Sequence, residues 1–410
     1  MYNIANFLKL YEKEVALMRV KGLILGISLA GLLGLSQEAL ALEINEKLSL
    51  EANLTWVHQW LEKRKGDFKD QDRGSAVLDG RLSFKPTEVD EFSLRASFAK
   101  ENGLKKVNPF VLSPNADDLR DDLHNINGRS RDHLQELWYA RTFHLPGNFT
   151  LKGTFGIIDA TAFIDENRFA NDELTQFMNE ALVNNPTANL VSYDYGLALE
   201  LGKGPFSFKV LGMQSKTEYE SEDVELKRKF HRKNYNYYVS QIGYSWDSPL
   251  GEGNLRVYGF TTNKKFPSFD EEPKRKALKG WGVSFDQDLI KDRLGIFARV
   301  GFQSDKAQVD YKSTYSLGPS LKICIPRFRE LTFGAGYAYL KAPSKHEELK
   351  NTRVFEAYLA IPLYEVEKKF SSVLTLDWQY MKDKLKENEE GGIPSERRGH
   401  IWGIRLNLAF

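Results

Sequence analysis

The sequence predicts an all-β chain closed into a transmembrane antiparallel barrel of sixteen strands. Three observations carry that expectation. Sixteen segments alternate apolar and polar residues with the period of two that a strand imposes. The connections between them alternate between short and long, the asymmetry of membrane barrels. Finally, no apolar run beyond residue 41 reaches the ~20 residues that a spanning helix needs.

The N-terminal residues read as a leader. Met18 opens a basic stretch (MRVKG), an apolar run of 13 residues (LILGISLAGLLGL) and the small-x-small site Ala39-Leu40-Ala41. The run is too short to span, so the expected arrangement is an extension and signal peptide over 1–41, initiated at Met18 and cleaved after Ala41. A single barrel domain then covers 42–410.

Composition narrows the class. Lys plus Arg (57) nearly balance Asp plus Glu (56), which gives no footing to a nucleic-acid binder. Aromatic residues reach 12% although the mean hydropathy is only −0.46, as suits a chain with many amphipathic rings and no thick core. The single Cys324 excludes an internal disulfide and a multi-cysteine metal site, and reads as packing.

The first strand, over 46–61, sets Leu48, Leu50, Ala52, Leu54 and Trp56 against Ser49, Glu51, Asn53 and Thr55. The second (75–85) sets Ala76, Leu78, Leu82 and Phe84 against Asp79, Arg81 and Ser83. The third (91–99) sets Phe92, Leu94, Ala96 and Phe98 against Ser93, Arg95 and Ser97. The same pattern recurs over 133–145, 149–159, 191–202, 205–217, 234–247, 253–263 and 278–288. It continues over 292–304, 314–325, 331–341, 352–364, 370–382 and 399–410. Tight links such as PTEVDE, LPGN, GKGP and LIKD interleave with long polar ones, of which two run beyond thirty residues and end near Asp132 and Val191. In lipid every backbone N–H and C=O must be paired within the protein, so these strands must close on themselves. Rings such as Trp56, Tyr139, Tyr195, Tyr244, Trp246, Tyr337, Tyr339, Trp378 and Trp402 fall near strand ends on the apolar face, where interfacial girdles sit.

With the apolar set facing lipid, the lumen receives Arg81, Arg95, Lys152, Lys209, Arg256, Arg299 and Arg405. It also receives Asp79, Glu136, Asp194, Glu200, Asp286, Glu356 and Asp377. Most would keep a wide aqueous lumen solvated and paired. A few of both signs around a waist would offer donors and acceptors to hydroxyl groups without favouring one sign of ion.

The long connection after the fifth strand differs from the others. It is acidic and amide-rich, Asp172 is placed to cap a helical turn at Glu173, and Leu174, Phe177, Met178, Ala181 and Leu182 recur at helical spacing. Exposed to water, Phe163, Ile164, Phe169, Leu174, Phe177 and Leu182 would form a costly patch. Against the inner wall they would be covered, which leaves Asp165, Asn167, Arg168, Asn171 and Asp172 to face the passage.

The stretch GIIDATAFIDENRFANDELTQFMNEALVNNP, followed by YDYGLALEL, resembles the carbohydrate-selective porins, the OprB-like family of outer-membrane channels. The resemblance continues in FGAGYAYLKAPSKHEE, TRVFEAYLAIPL, LTLDWQY and GIRLNLAF. It is densest over 134–201 and 331–410. It implies a sixteen-stranded barrel whose third external loop, carrying a short helix, folds inward and narrows the pore. It also implies that terminal Phe410 serves as the signal to the outer-membrane assembly machinery.

The expected function is an outer-membrane porin of a Gram-negative-type bacterium that lets sugars and other small polar solutes diffuse passively. The constriction candidates are loop residues Asp159, Asp165, Asn167, Arg168, Asn171, Asp172 and Glu173. Wall candidates are Arg81, Arg95, Lys152, Asp194, Glu200, Lys209, Arg256, Arg299, Glu356, Asp377 and Arg405. The expected partners are the lipid bilayer and small solutes, with no nucleic acid and no cofactor, and monomer and trimer both stay open. The alternatives are a non-selective or anion porin, or a barrel with a blocked lumen acting as enzyme or receptor. No GxSxG, HExxH, P-loop or His/Cys cluster supports an enzyme.

Overall fold

The structure, a computed structural model, describes residues 41–217, 233–269, 274–325, 330–366, 369–386 and 395–410. The leader expected over 1–41 lies outside these residues except for Ala41. That residue belongs to a short strand, Ala41–Asn45, folded back antiparallel on the next one.

Sixteen longer strands follow: β1 (Leu48–Lys65), β2 (Gln71–Phe84), β3 (Asp90–Lys100), β4 (Leu134–Leu145), β5 (Phe149–Ile158) and β6 (Asp194–Lys203). Next come β7 (Phe206–Thr217), β8 (Lys233–Ser248), β9 (Gly251–Thr262), β10 (Lys279–Ile290) and β11 (Leu294–Gln303). The last are β12 (Ser313–Cys324), β13 (Glu330–Lys341), β14 (Leu349–Val366), β15 (Phe370–Leu385) and β16 (Glu396–Ala409). Each pairs antiparallel with its sequence neighbour, and β16 returns to β1 with Trp402 opposite Trp60 and Leu408 opposite Leu54. Phe410 completes the seam, donating to the Ala52 carbonyl (2.8 Å) and accepting from the Ala52 N–H (3.1 Å). Closure leaves no free edge, as a strand-built membrane protein requires.

All sixteen segments expected from alternation are strands. Their connections at one end are two to five residues long, as at 146–148, 204–205 and 249–250. At the other end they reach 101–133 and 159–193. Both ends of the barrel chain lie at the short-turn end, because the strand number is even.

The two faces differ in kind. Phe98, Leu137, Phe155, Leu197, Ile242, Leu317 and Trp402 point outward, and Ile242 is 62% exposed. Such a continuous apolar belt is a cost in water and the requirement in lipid. At the long-loop end Trp281, Phe302, Tyr315 and Tyr339 form a chain of rings with centroids 4.8, 5.6 and 6.4 Å apart. At the short-turn end Phe206, Tyr244 and Trp246 do the same at 4.9 and 5.6 Å. These rows sit where interfacial girdles belong.

Cys324 corrects the sequence reading. It is exposed at the end of β12 rather than packed, because the strand meets its turn there.

Candidate functional site

The interior is built around the segment 159–193, and its sequence shows why it stays against the wall. Asp159 follows β5 and caps the turn Ala160–Ala162, accepting from the Thr161 N–H (2.9 Å) and hydroxyl (2.7 Å). Ile164, Phe177, Met178, Ala181 and Leu182 are fully buried. Burial of each large side chain among them is worth about 1.5–3 kcal/mol. Glycines on the wall make room for these and other residues of the segment: a Cβ on Gly336 would lie 3.0 Å from Phe177 and Leu182, and one on Gly403 3.0 Å from Met178. A Cβ on Gly301 would lie 2.3 Å from Asn185 and Thr187, and one on Gly295 would lie 2.0 Å from the Phe169 ring.

Polar latches then fix the register. Arg299 of β11, wholly buried, meets the equally buried Asp165 carboxylate at 3.0 Å. It also donates to the carbonyls of Leu182 and Asp165 (both 3.0 Å) and to Asn171 Oδ1 (3.1 Å). The Glu356 carboxylate of β14 accepts from the N–H groups of Met178 (2.5 Å) and Asn179 (3.0 Å). Arg405 of β16 donates to the carbonyls of Glu173 and Gln176. Nearer the short turns, Asn167 donates to Ser284 Oγ (3.1 Å) and Arg168 pairs with Asp288 at 3.0 Å.

The latches displace the helix the sequence suggested. Asp172 does cap a turn, accepting from the Leu174 N–H (2.8 Å) and the Thr175 hydroxyl, but no helix begins at Glu173. Glu356 takes the next backbone donors, and the α-helical turn of this segment is Glu180–Val183, capped by Asn179 at 3.0 Å. The Glu356 carboxylate overrides helical spacing here because it satisfies N–H groups that a helix would use.

A second segment, 101–133, packs on the first, and sequence reasoning treated it as an ordinary loop. The Ser113 N–H donates to Glu180 (2.7 Å), the Ala116 N–H to the Met178 carbonyl (2.8 Å) and Arg120 to Glu180 (2.9 Å). Gln379 of β15 and Gln59 of β1 both donate to the Pro114 carbonyl (2.9 and 3.1 Å). The signal was present: Leu104, Leu119, Leu123 and Ile126 stand among charges, and all four are buried.

The candidate residues thus fall into two groups. Asp165, Arg299, Glu356, Asp377, Arg405 and Asp194 are buried beneath or beside the docked segments, and Asp194 is held by Arg129 at 3.0 Å. Asn167 is buried too, while Asn171, Asp172 and Glu173 are half-buried. The other group lies along the inner wall and is covered less evenly, with Arg81 and Lys152 the most open. Arg81 and Lys152 keep more than a third of their side chains exposed, against none of Arg299. Around them run pairs of opposite sign: Arg81–Glu136 (2.9 Å), Lys152–Glu91 (3.5 Å), Lys209–Glu200 (3.3 Å), Lys209–Glu166 (2.7 Å) and Arg256–Asp286 (2.7 Å). Arg95 pairs with Asp118 (2.7 Å) and Asp79 (3.2 Å), and the Tyr193 hydroxyl donates to Asp118. Glu91, Asp118, Glu166, Tyr193 and Asp288 were not foreseen, since loop residues and strand ends carry no facing rule in sequence.

Burial pushes the Asp159 carboxyl up to about 7, outweighing the two Thr161 hydrogen bonds, and Glu136 and Asp118 add to the rise. An acid raised in the folded state holds its proton where the unfolded chain has lost it. Stability from this group is therefore full below about pH 4 and is lost as pH rises towards 7. Asp159→Asn keeps the contact from the Thr161 N–H, lets the Thr161 hydroxyl turn to accept from the amide nitrogen, and removes that loss. The variant should show slower hydrogen exchange of 160–164 at pH 8 than the parent, with no difference at pH 4. Equal exchange at both pH values would remove Asp159 as the titrating group.

No family model matches the chain. A curated protein of Aquifex aeolicus (strain VF5), described as uncharacterized, is 29% identical over 344 residues, covering 82% of this chain and 90% of that protein. The high-pH structure of Pseudomonas putida OprB has a TM-score of 0.62 at 14% identity, covering 88% of this chain and 94% of its own. The outer membrane channel DcaP of Acinetobacter baumannii has 0.52 at 10% identity, covering 92% and 100%. At such identities the likeness is one of fold. The chain is a sixteen-stranded closed antiparallel barrel resembling outer-membrane porins.

Proposed function

We propose that the chain is a passive, non-catalytic diffusion channel in the outer membrane of a Gram-negative-type bacterium. Small polar solutes pass through a lumen narrowed by the inward segments 159–193 and 101–133. The observation that carries the reading is the set of lumen charges beside the docked segments. Arg81, Lys152, Glu166 and Glu200 keep a quarter or more of their side chains exposed and pair with charges of opposite sign, inside a barrel whose outer face is apolar. A channel needs weak, repeated contacts that admit a solute without trapping it, and such pairs supply them.

Within this reading, sugars are the finer assignment. Paired charges cancel at a distance, so neither ion sign is concentrated, yet each pair offers donors and acceptors to hydroxyl groups. The short-turn end would face the periplasm, with Phe410 at that rim as the contact for the assembly machinery.

Purified barrel in a planar lipid bilayer should give steps of conductance that scale with salt concentration, with weak preference between cations and anions and partial block by mono- or disaccharides. An inserted barrel without conductance would remove the channel. Open channels without sugar block, or with strong selection of one ion, would leave the passive channel and remove the sugar assignment.

A further inference from the structure

The outer face carries a groove that the channel reading does not use. It runs from the turn between β2 and β3 towards the upper part of β5 as an open trough of about 650 Å³. Clefts that hold small ligands enclose about 300–1,000 Å³. Phe92, Leu137 and Phe155 form its apolar walls, exposed by 45, 48 and 56%. Beside them β5 is drawn onto β4 at Gly156, whose φ is +140° and where a Cβ would lie 2.2 Å from the Leu137 carbonyl.

The lower end is polar. Asp90 accepts from the Thr87 hydroxyl (2.6 Å), the Tyr139 hydroxyl (2.5 Å) and Arg141 Nη1 (3.2 Å). These contacts hold the Arg141 guanidinium at the groove, with 48% of the side chain exposed. One of its nitrogens is engaged by Asp90, and the fork has five N–H donors in all. From Arg141 to Leu137 the groove follows about 13 Å of strand at ~3.3 Å per residue. It therefore passes from a charged rim into the apolar belt.

We propose that this groove binds one phospholipid of the leaflet at the short-turn end. Its phosphate sits on the Arg141 guanidinium, and an acyl chain lies along Phe92, Leu137 and Phe155. The occupant follows from the setting. This face is solvated by lipid in the barrel reading, on which the proposal rests. A guanidinium beside an apolar cleft matches the polarity of a phospholipid end to end, and the planar fork matches phosphate geometry. A second barrel is the poorer fit, because its outer wall is convex and leaves a notch unfilled.

Native mass spectrometry tests this on detergent-purified barrel equilibrated with phosphatidylethanolamine vesicles containing a minority of phosphatidylglycerol. One phospholipid should be retained per barrel. Arg141→Gln should lower retention about tenfold, as loss of a charge-assisted hydrogen bond does. Leu137→Trp, which fills the apolar end, should lower it as well, and added inorganic phosphate should displace nothing. No retained lipid, or retention equal to the parent's in either variant, would overturn the proposal. So would displacement by inorganic phosphate, or a change of oligomeric state with lipid retention unaltered. Both variants should conduct as the parent does, which separates this site from the channel.

Discussion

Removing residues 165–185 should raise the single-channel conductance several-fold and weaken block by sugars. The barrel itself should survive, because its hydrogen-bond ladder closes from β16 to β1 without any contribution from this segment. What disappears is the cover over one side of the lumen. Arg299, Arg405 and Glu356 lose their backbone partners and become water-exposed lumen charges. The neighbouring segment 101–133 is released as well, since Ser113, Ala116 and Arg120 lose Glu180 and Met178. Two obstacles thus go with one deletion. Part of the gain is offset by apolar wall residues such as Phe297 and Tyr358, which are buried in the intact protein and would face water afterwards. If the shortened barrel assembles and conducts and is blocked like its parent, the segment is not the waist.

The second large effect is expected from a single side chain. Arg299→Met leaves the Asp165 carboxylate at zero exposure without its ion partner and frees two carbonyls and Asn171. Breaking a buried pair from one side costs about 3–5 kcal/mol. The cost should appear as undocking of 159–193 and not as loss of the barrel, for the pair joins the segment to the wall and contributes to no strand pairing. Hydrogen exchange across 159–193 should accelerate, and single-channel records should become noisier and larger. Pairing the change with Asp165→Asn removes the stranded charge, so the double variant should recover much of the protection. Protection equal to the parent in Arg299→Met, or no recovery in the double variant, would mean that apolar seating alone holds the segment.

Strand alternation was legible because a barrel wall separates two solvents. Each strand meets lipid on one side and the lumen on the other, and a period of two records that directly. Arg81, Arg95, Lys209 and Arg256 were assigned inward by this rule, and the structure places them there. The same rule could not separate Arg81, which stays open, from Arg299, which is covered, since both are inward positions of a strand. Nor could it show that 101–133 docks beside 159–193, although its buried leucines hinted that something would cover them.

By itself, then, the sequence determined the number of strands, their inward and outward faces and the end at which the long connections gather. All three follow from local periodicity and from the need to pair every backbone group in lipid. The tertiary structure decided which lumen charges are latches and which remain accessible. It also set the segment's α-helical turn at Glu180–Val183, capped by Asn179. These choices depend on Glu356, Arg299 and Arg405, which lie more than a hundred residues along the chain from the backbone groups they bind. Only closure of the barrel brings such partners within hydrogen-bonding distance, and no local pattern records which of them will meet.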